Sequence, residues 1–171
     1  MKKEILVMKD IDKVYQMGDE EQRILKHINF KVCENEFVSI LGPSGSGKST
    51  MMNIIGCLDV QTGGEYLLSG QNVSELNEIE LARIRNKEIG FIFQQFQLLP
   101  RLNALENVEL PLIYSKMLSR NRREMAEHIL EKVGLKDKMK HYPNQLSGGQ
   151  QQRVAIGRAI VTQPTILLAD E

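Results

Sequence analysis

Long apolar runs are missing from this sequence. Its uninterrupted hydrophobic stretches are only a few residues long, far short of the ~20 that a helix needs to cross a bilayer. Met1-Lys2-Lys3-Glu4 leads straight into a strand pattern without the apolar core of a signal peptide, so the protein is expected to be made and kept in the cytoplasm. Cysteine is scarce: Cys33 and Cys57 stand alone, without C-x-x-C or Cys/His metal spacing, and read as buried, reduced thiols. An excess of charge is missing too, since Lys plus Arg and Asp plus Glu both count 22. That balance argues against the electrostatic footprint of a nucleic-acid binder, and none is expected as a partner. Repeats and low-complexity segments are absent. What remains is a 171-residue chain, the size of one domain, long enough to bury about two-thirds of its unfolded surface.

The stretch around which the chain is organised runs from Gly42 to Thr50, Gly-Pro-Ser-Gly-Ser-Gly-Lys-Ser-Thr, directly after the apolar run Phe37-Val38-Ser39-Ile40-Leu41. It fits G-x-x-x-x-G-K-[S/T] without a mismatch. Polyphosphate carries many acceptor oxygens, and backbone N–H groups converge on it only where side chains are absent, which Gly42, Gly45 and Gly47 provide beside Ser44 and Ser46. Lys48 brings a cation to the β- and γ-phosphates, Ser49 a hydroxyl to Mg²⁺, and a helix opening at Lys48 aims its positive end at the same anion. Met51, Met52, Ile54, Ile55 and Leu58 recur at helical spacing behind it. A buried strand is expected before the loop. The expected ligand is a nucleoside triphosphate.

Elsewhere the pattern predicts strands at Ile5 to Met8, from Val14, at His27 to Val32 and at Glu65 to Leu68, a turn at Gln16 to Asp19, and hence an antiparallel layer flanking the loop. A short helix at Glu78 to Arg85 precedes a buried strand, Ile89 to Phe93. From there to about Gln145 the pattern is helical: Asn103 can cap Ala104 to Val108, Pro111 bends the run, and Arg122 to Val133 stops at Gly134. Thr165 to Ala169 reads as a final buried strand ending in Asp170-Glu171.

Two further constellations carry chemistry. Asp170, at the carboxyl end of a strand, can hold Mg²⁺ through water, and Glu171 can orient or deprotonate an attacking water. Leu146-Ser147-Gly148-Gly149-Gln150 contains Ser-x-x-Gln, a capping box able to start a helix without functional meaning. Yet two glycines in a first helical turn each cost up to ~1 kcal/mol relative to alanine. A helix start stripped of side chains is also a second anion site, and a triphosphate already cradled by the first loop needs it from another copy.

Together these three motifs resemble the ATP-binding subunit of ABC transporters, over the whole chain. Phe93 to Pro100 and Ala104 to Leu112 resemble the lipoprotein-releasing and macrolide-exporting type. The resemblance implies an α/β P-loop core with a mostly parallel sheet, an N-terminal antiparallel layer and a helical subdomain at about residues 95–158, within one ATP-binding domain spanning 1–171. It implies ATP and Mg²⁺ as cofactors, an ATPase activity coupled to transport, and a location on the inner face of the membrane beside an integral permease. Residue by residue, it places Tyr15 against adenine, Gln94 at Mg²⁺ and the attacking water, Glu171 as general base, and Ser147 and Gly149 on the γ-phosphate across a head-to-tail homodimer. His27, His128 and His141 fall in no motif. ABC-type ATPases of DNA repair or translation share the motifs but carry long insertions, whereas only about fifty residues separate Gln94 from Ser147. A folding or binding module without turnover is the non-enzymatic alternative. The family pattern continues past the Asp-Glu pair into a further strand lying between the one entering Gly42 and the one ending at Asp170. A slot in the middle of the sheet is therefore expected, with a C-terminally incomplete chain that keeps the ATP contacts in outline and hydrolyses poorly.

Overall fold

The computed structural model describes residues 2–115 and 117–170, and the chain forms two compact units, Met1–Arg83 and Ile84–Glu171. The first is built on a long antiparallel hairpin, β1 (Glu4–Met17) and β2 (Glu20–Cys33), turned at Gly18 and Asp19. Strand β3 (Gly63–Leu68) pairs antiparallel with β1, and the short β4 (Gln71–Asn72) completes the order β2-β1-β3-β4. The two pieces expected at Ile5 and Val14 are thus one strand, because the residues between them, Lys9, Ile11, Asp12 and Lys13, pair with β2 or β3.

Side chains alternate across a strand, so a bulge that adds a residue exchanges its faces. In β1 the buried positions are Leu6 and Met8, then Ile11 and Lys13. The pairing with β2 shifts between Met8 and Ile11, where Asp10 (φ 53°) and, on β2, His27 (φ 49°) take left-handed backbone. The shift turns odd-numbered residues inward, and Lys13 and half-buried Tyr15 share the face of Ile11. Helix α1 (Lys48–Ile55) buries Ile54 and Ile55. The wholly buried Tyr66 ties β3 to that helix, its phenol donating to the Ile55 carbonyl at 2.7 Å; burial pushes that phenol far above its ordinary pKa.

Phe37 to Leu41 overturns an expectation. The segment lies in no strand, and Phe37 and Leu41 are 93% and 90% exposed. A strand apolar on both faces is stable only between partners and under cover on both sides, and none of the described strands pairs with it. The mostly parallel sheet is corrected with it: among the described residues, parallel pairing is confined to β5 and β6, in the second unit.

In the second unit α2 (Glu78–Glu88), which begins in the first, leads into β5 (Ile89–Ile92). Three helices follow, α3 (Ala104–Ile113), α4 (Ser119–Lys132) and α5 (Gly148–Ile160), before β6 (Ile166–Ala169), which runs parallel to β5 with Ile92 opposite Ala169. Leu105, Val108 and Leu112 of α3 pack with Ala126 and Leu130 of α4 and Val154 of α5. Gly90 lets β5 lie against α5, since a Cβ there would sit 2.3 Å from the Ala159 carbonyl oxygen. Asn103 caps α3 as expected, in a reciprocal box with Glu106, but α3 continues past Pro111 to Ile113.

Asn107 is wholly buried in α3. Its Oδ1 accepts from the Leu99 N–H at 2.8 Å, and its Nδ2 donates to the carbonyls of Leu99, Leu102 and Asn103 at 3.2, 2.9 and 3.0 Å. One amide therefore holds the loop from Leu99 to Asn103 against the helix it enters. Truncation leaves the Leu99 N–H and the Leu102 carbonyl without the partner that Asn107 gives them, while the Leu99 and Asn103 carbonyls keep the backbone N–H groups of Leu102 and Asn107, and orphaned polar groups are costly. Asn107→Ala is expected to cost about 2–3 kcal/mol, lowering the urea midpoint at an unchanged m-value; a loss under about 0.5 kcal/mol would contradict the assignment.

Candidate nucleotide site

The loop is exposed from Gly42 to Ser46 and half-buried at Gly47, with left-handed backbone at Gly45 (φ 80°) and Gly47 (φ 88°). Gly47 is the N-cap of α1 and no side chain caps the helix, so the amides of its first turn are offered outward. No acidic residue stands in that turn. Lys48 bends back over the loop, its Nζ donating to the carbonyls of Gly42 and Pro43 at 2.8 Å each. Ser44, Ser46 and Ser49 are exposed and Thr50 half-buried. The geometry is that of an anion cradle: uncapped N–H donors, a cation over the rim and hydroxyls beside it.

Tyr15 belongs to the same unit. Its hydroxyl donates to Asp59 Oδ2 at 2.5 Å, while Asp59 Oδ1 accepts from Lys13 Nζ at 2.6 Å and from the Val60 N–H at 2.7 Å. Lys13 also donates to the Val60 carbonyl at 2.6 Å and lies 4.6 Å above the centre of the Tyr15 ring. The hydrogen bond to Asp59 holds the Tyr15 phenol above its ordinary pKa, with burial adding to it, while the Thr50 hydroxyl works the other way. Burial by itself raises the Asp59 carboxyl, but hydrogen bonds from Lys13, Tyr15 and the Val60 N–H outweigh it and bring the group below the usual range. Lys13 and Asp59 carry no motif signal, because Asp59 reaches Tyr15 only through the fold.

In the second unit, the sheet brings two expected residues to one end. Asp170 follows β6, its N–H donating to the Ile92 carbonyl at 3.0 Å, and Gln94 leaves β5 just after Ile92. Both are exposed at the carboxyl ends of neighbouring parallel strands. Glu171 lies outside the described residues. The turn after Gln94 is held from α5: Arg158 donates to the Gln97 carbonyl at 2.7 Å and the Phe96 carbonyl at 2.8 Å. Phe96 (φ 55°) and Gln97 (φ 45°) are both left-handed, a costly conformation for residues with a side chain. Burial draws the Arg158 guanidinium below its ordinary pKa. Sequence reasoning missed this residue, whose spacing on α5 is only that of a helix.

At the start of α5 the capping box is real. The Ser147 N–H donates to Gln150 Oε1 at 2.8 Å and the Gln150 N–H to Ser147 Oγ at 3.4 Å. Ser147, Gly148 and Gly149 are nevertheless exposed, and a Cβ on either glycine would meet nothing within 4 Å. The cap explains Ser147 and Gln150, but no packing among the described residues explains the glycines.

The sequence pattern of the ABC transporter family matches residues 25–171. The chain belongs to the ABC transporter family. It is 58% identical to the uncharacterized ABC transporter ATP-binding protein YknY of Bacillus subtilis, over 98% of this chain and 73% of that one. It is 47% identical to the macrolide export ATP-binding/permease protein MacB of Escherichia coli, over 99% of this chain and 26% of that one. Among solved structures, the dimeric ATP-binding cassette MJ0796 in a post-hydrolysis state bound to ADP and Pi is 51% identical, with a TM-score of 0.86 over 96% of this chain and 73% of that one; MJ0796 is from Methanocaldococcus jannaschii. The resemblance read from the motifs is upheld: this is an ATP-binding subunit of the type shared with YknY and MacB. Among the described residues, no helix of the cassette is long and apolar enough to cross a membrane.

Arg158→Ala removes the clamp on the turn after Gln94. Amide exchange at Phe96 to Leu99 is expected to accelerate about tenfold or more while the core of α3 and α4 keeps its protection. Arg158→Lys is expected to restore little, because one ammonium does not reproduce the guanidinium fork. Unchanged exchange in Arg158→Ala would show that the turn holds itself.

Proposed function

We propose that this cassette hydrolyses ATP to drive export or release of a substrate through a separate membrane permease, and that its working form is a head-to-tail dimer enclosing two ATP molecules. The observation that carries the reading is the bare first turn of α5: a Cβ on Gly148 or Gly149 would meet nothing within 4 Å among the described residues, so packing does not demand glycine there, yet two glycines weaken the helix they begin. A second molecule's triphosphate gives them a purpose. The dimeric state of MJ0796, 51% identical, supports it.

In this reading each residue does what its setting allows. Backbone amides from Gly42 to Ser49, with the hydroxyls of Ser44, Ser46 and Thr50, hold the phosphates. Lys48, already drawn over the loop, neutralises the β- and γ-phosphates. Tyr15 lies against adenine. Ser147, capping α5 through its lone pair, keeps its O–H free to donate to the γ-phosphate of the other copy, with Gly148, Gly149 and the Gln150 amide beside it. Ser49, Gln94 and Asp170 are exposed oxygen donors, the ligand chemistry that suits Mg²⁺, which keeps several waters and needs no all-protein cage. When bound, Mg²⁺ offsets the charge of the phosphates. Glu171 takes the proton of the attacking water, and Gln94 orients that water. Closure on ATP and release after hydrolysis do mechanical work on the permease. The membrane position follows from that partner, and the chain is read as one ATP-binding domain, 1–171, with a helical subdomain at about residues 95–158. The 171 residues taken alone are proposed to turn ATP over poorly, since Phe37 to Leu41, which lead into the loop, lie unpaired and exposed.

Glu171→Gln in the full-length protein is expected to give a stable dimer by light scattering at saturating ATP. Adding Gly149→Arg is expected to return monomers without lowering the unfolding temperature, because a Cβ there meets nothing within 4 Å and arginine suits a helix better than glycine. Monomers from Glu171→Gln alone, or dimers that survive Gly149→Arg, would refute the sandwich.

A further inference from the structure

Lys13 is the one charged side chain found buried among the described residues, at 7% exposed. Burying an ammonium is expensive unless it is paired and hydrogen-bonded, and here it is both, through Asp59 and the Val60 carbonyl. An apolar residue could fill this inward position of β1 at no such cost. What the charge gains is a fixed neighbour. Lys13 and Tyr15 lie two residues apart on the same face of β1, placed there by the bulge at Asp10, and Asp59 holds both at once, one with each carboxylate oxygen. Val60 closes the cluster from its backbone, its N–H on Asp59 and its carbonyl on Lys13.

The ring of Tyr15 is thus defined in two ways. Its hydroxyl is tethered to Asp59, so it cannot swing about the strand. One of its faces is taken by the Lys13 ammonium at 4.6 Å from the ring centre, a cation–π distance. Only the other face is left for a flat ligand. Asp59 itself sits just beyond α1, where the Leu58 and Asp59 N–H groups both donate to the Asn53 carbonyl. The tether therefore runs from the end of the phosphate-loop helix to the ring on β1.

We infer that Lys13 and Asp59 are positioning residues for the base: they lock the Tyr15 ring at a fixed place relative to the phosphate-loop helix, so that a purine base is met by a preorganised face. The inference rests on the proposed stacking of Tyr15 on adenine and adds what aims the ring. Preorganisation increases affinity by cutting the ordering cost of binding, and it acts only on ligands that have a base. The lock therefore raises affinity for ATP and leaves affinity for inorganic tripolyphosphate alone, a distinction that a general stabilising role does not make.

The test measures dissociation constants for ATP and for tripolyphosphate by calorimetry on the full-length protein. Tyr15→Ala, which removes the ring, is expected to weaken ATP about tenfold with tripolyphosphate unchanged. Tyr15→Phe keeps the ring and removes the tether, and Lys13→Met removes the cation at similar length; each is expected to weaken ATP about threefold, again without effect on tripolyphosphate. If Tyr15→Ala binds ATP like the wild type, the stacking reading itself is wrong. If Tyr15→Ala weakens ATP but Tyr15→Phe does not, the ring stacks without being aimed and the inference is overturned. Parallel losses for ATP and tripolyphosphate also overturn it, by showing a role in shaping the loop. Should Lys13→Met fail to fold, Tyr15→Phe, which leaves the Lys13–Asp59 pair intact, decides the matter alone.

Discussion

The first turn of a helix carries N–H groups that no residue of the helix can accept, and something outside must satisfy them. The cassette treats this constraint differently at its two glycine-rich helix starts. At α1 no side chain caps, and the donors are left open under an ammonium that is itself held by two carbonyls. At α5 a serine and a glutamine cap each other, yet the turn between them is stripped to glycine. Both arrangements give up helix stability, and in the proposed reading both let an anion approach more closely than a side chain allows.

Around these openings the packing is conventional, and it is what keeps the exposed groups in place. The apolar faces of α3, α4 and α5 enclose a common core, with α5 drawn close at Gly157, where a Cβ would lie 3.2 Å from Ile129. Polar side chains act as ties where backbone would otherwise be unpaired: Asn107 for the loop entering α3, Arg158 for the turn after Gln94, Tyr66 for the end of α1. Parallel pairing of β5 with β6 puts Gln94 and Asp170 at the same edge, the general outcome when successive parallel strands end together.

Much of this was legible in the residues. The phosphate loop, the cap at Asn103, the stop at Gly134 and the helix starting at Ser147 are local devices, decided within a turn or two of chain, and each is where its pattern put it. Phe37 to Leu41 misled for the opposite reason. An apolar run records that a segment wants burial, not that partners are at hand to provide it, and pairing is a long-range property. Pro111, expected to bend the run, lies inside α3, which continues beyond it to Ile113.

The sequence by itself determined the family and the residue types of both glycine-rich helix starts, since motifs and helix caps depend on particular residues at fixed spacing. Tertiary structure alone decided which face of β1 looks inward, that Asp59 meets Tyr15 from 44 positions away, and that Arg158 reaches the turn behind Gln94. Those outcomes depend on a bulge, on strand register and on helix packing, and no local run of residues specifies where distant parts of a chain will meet.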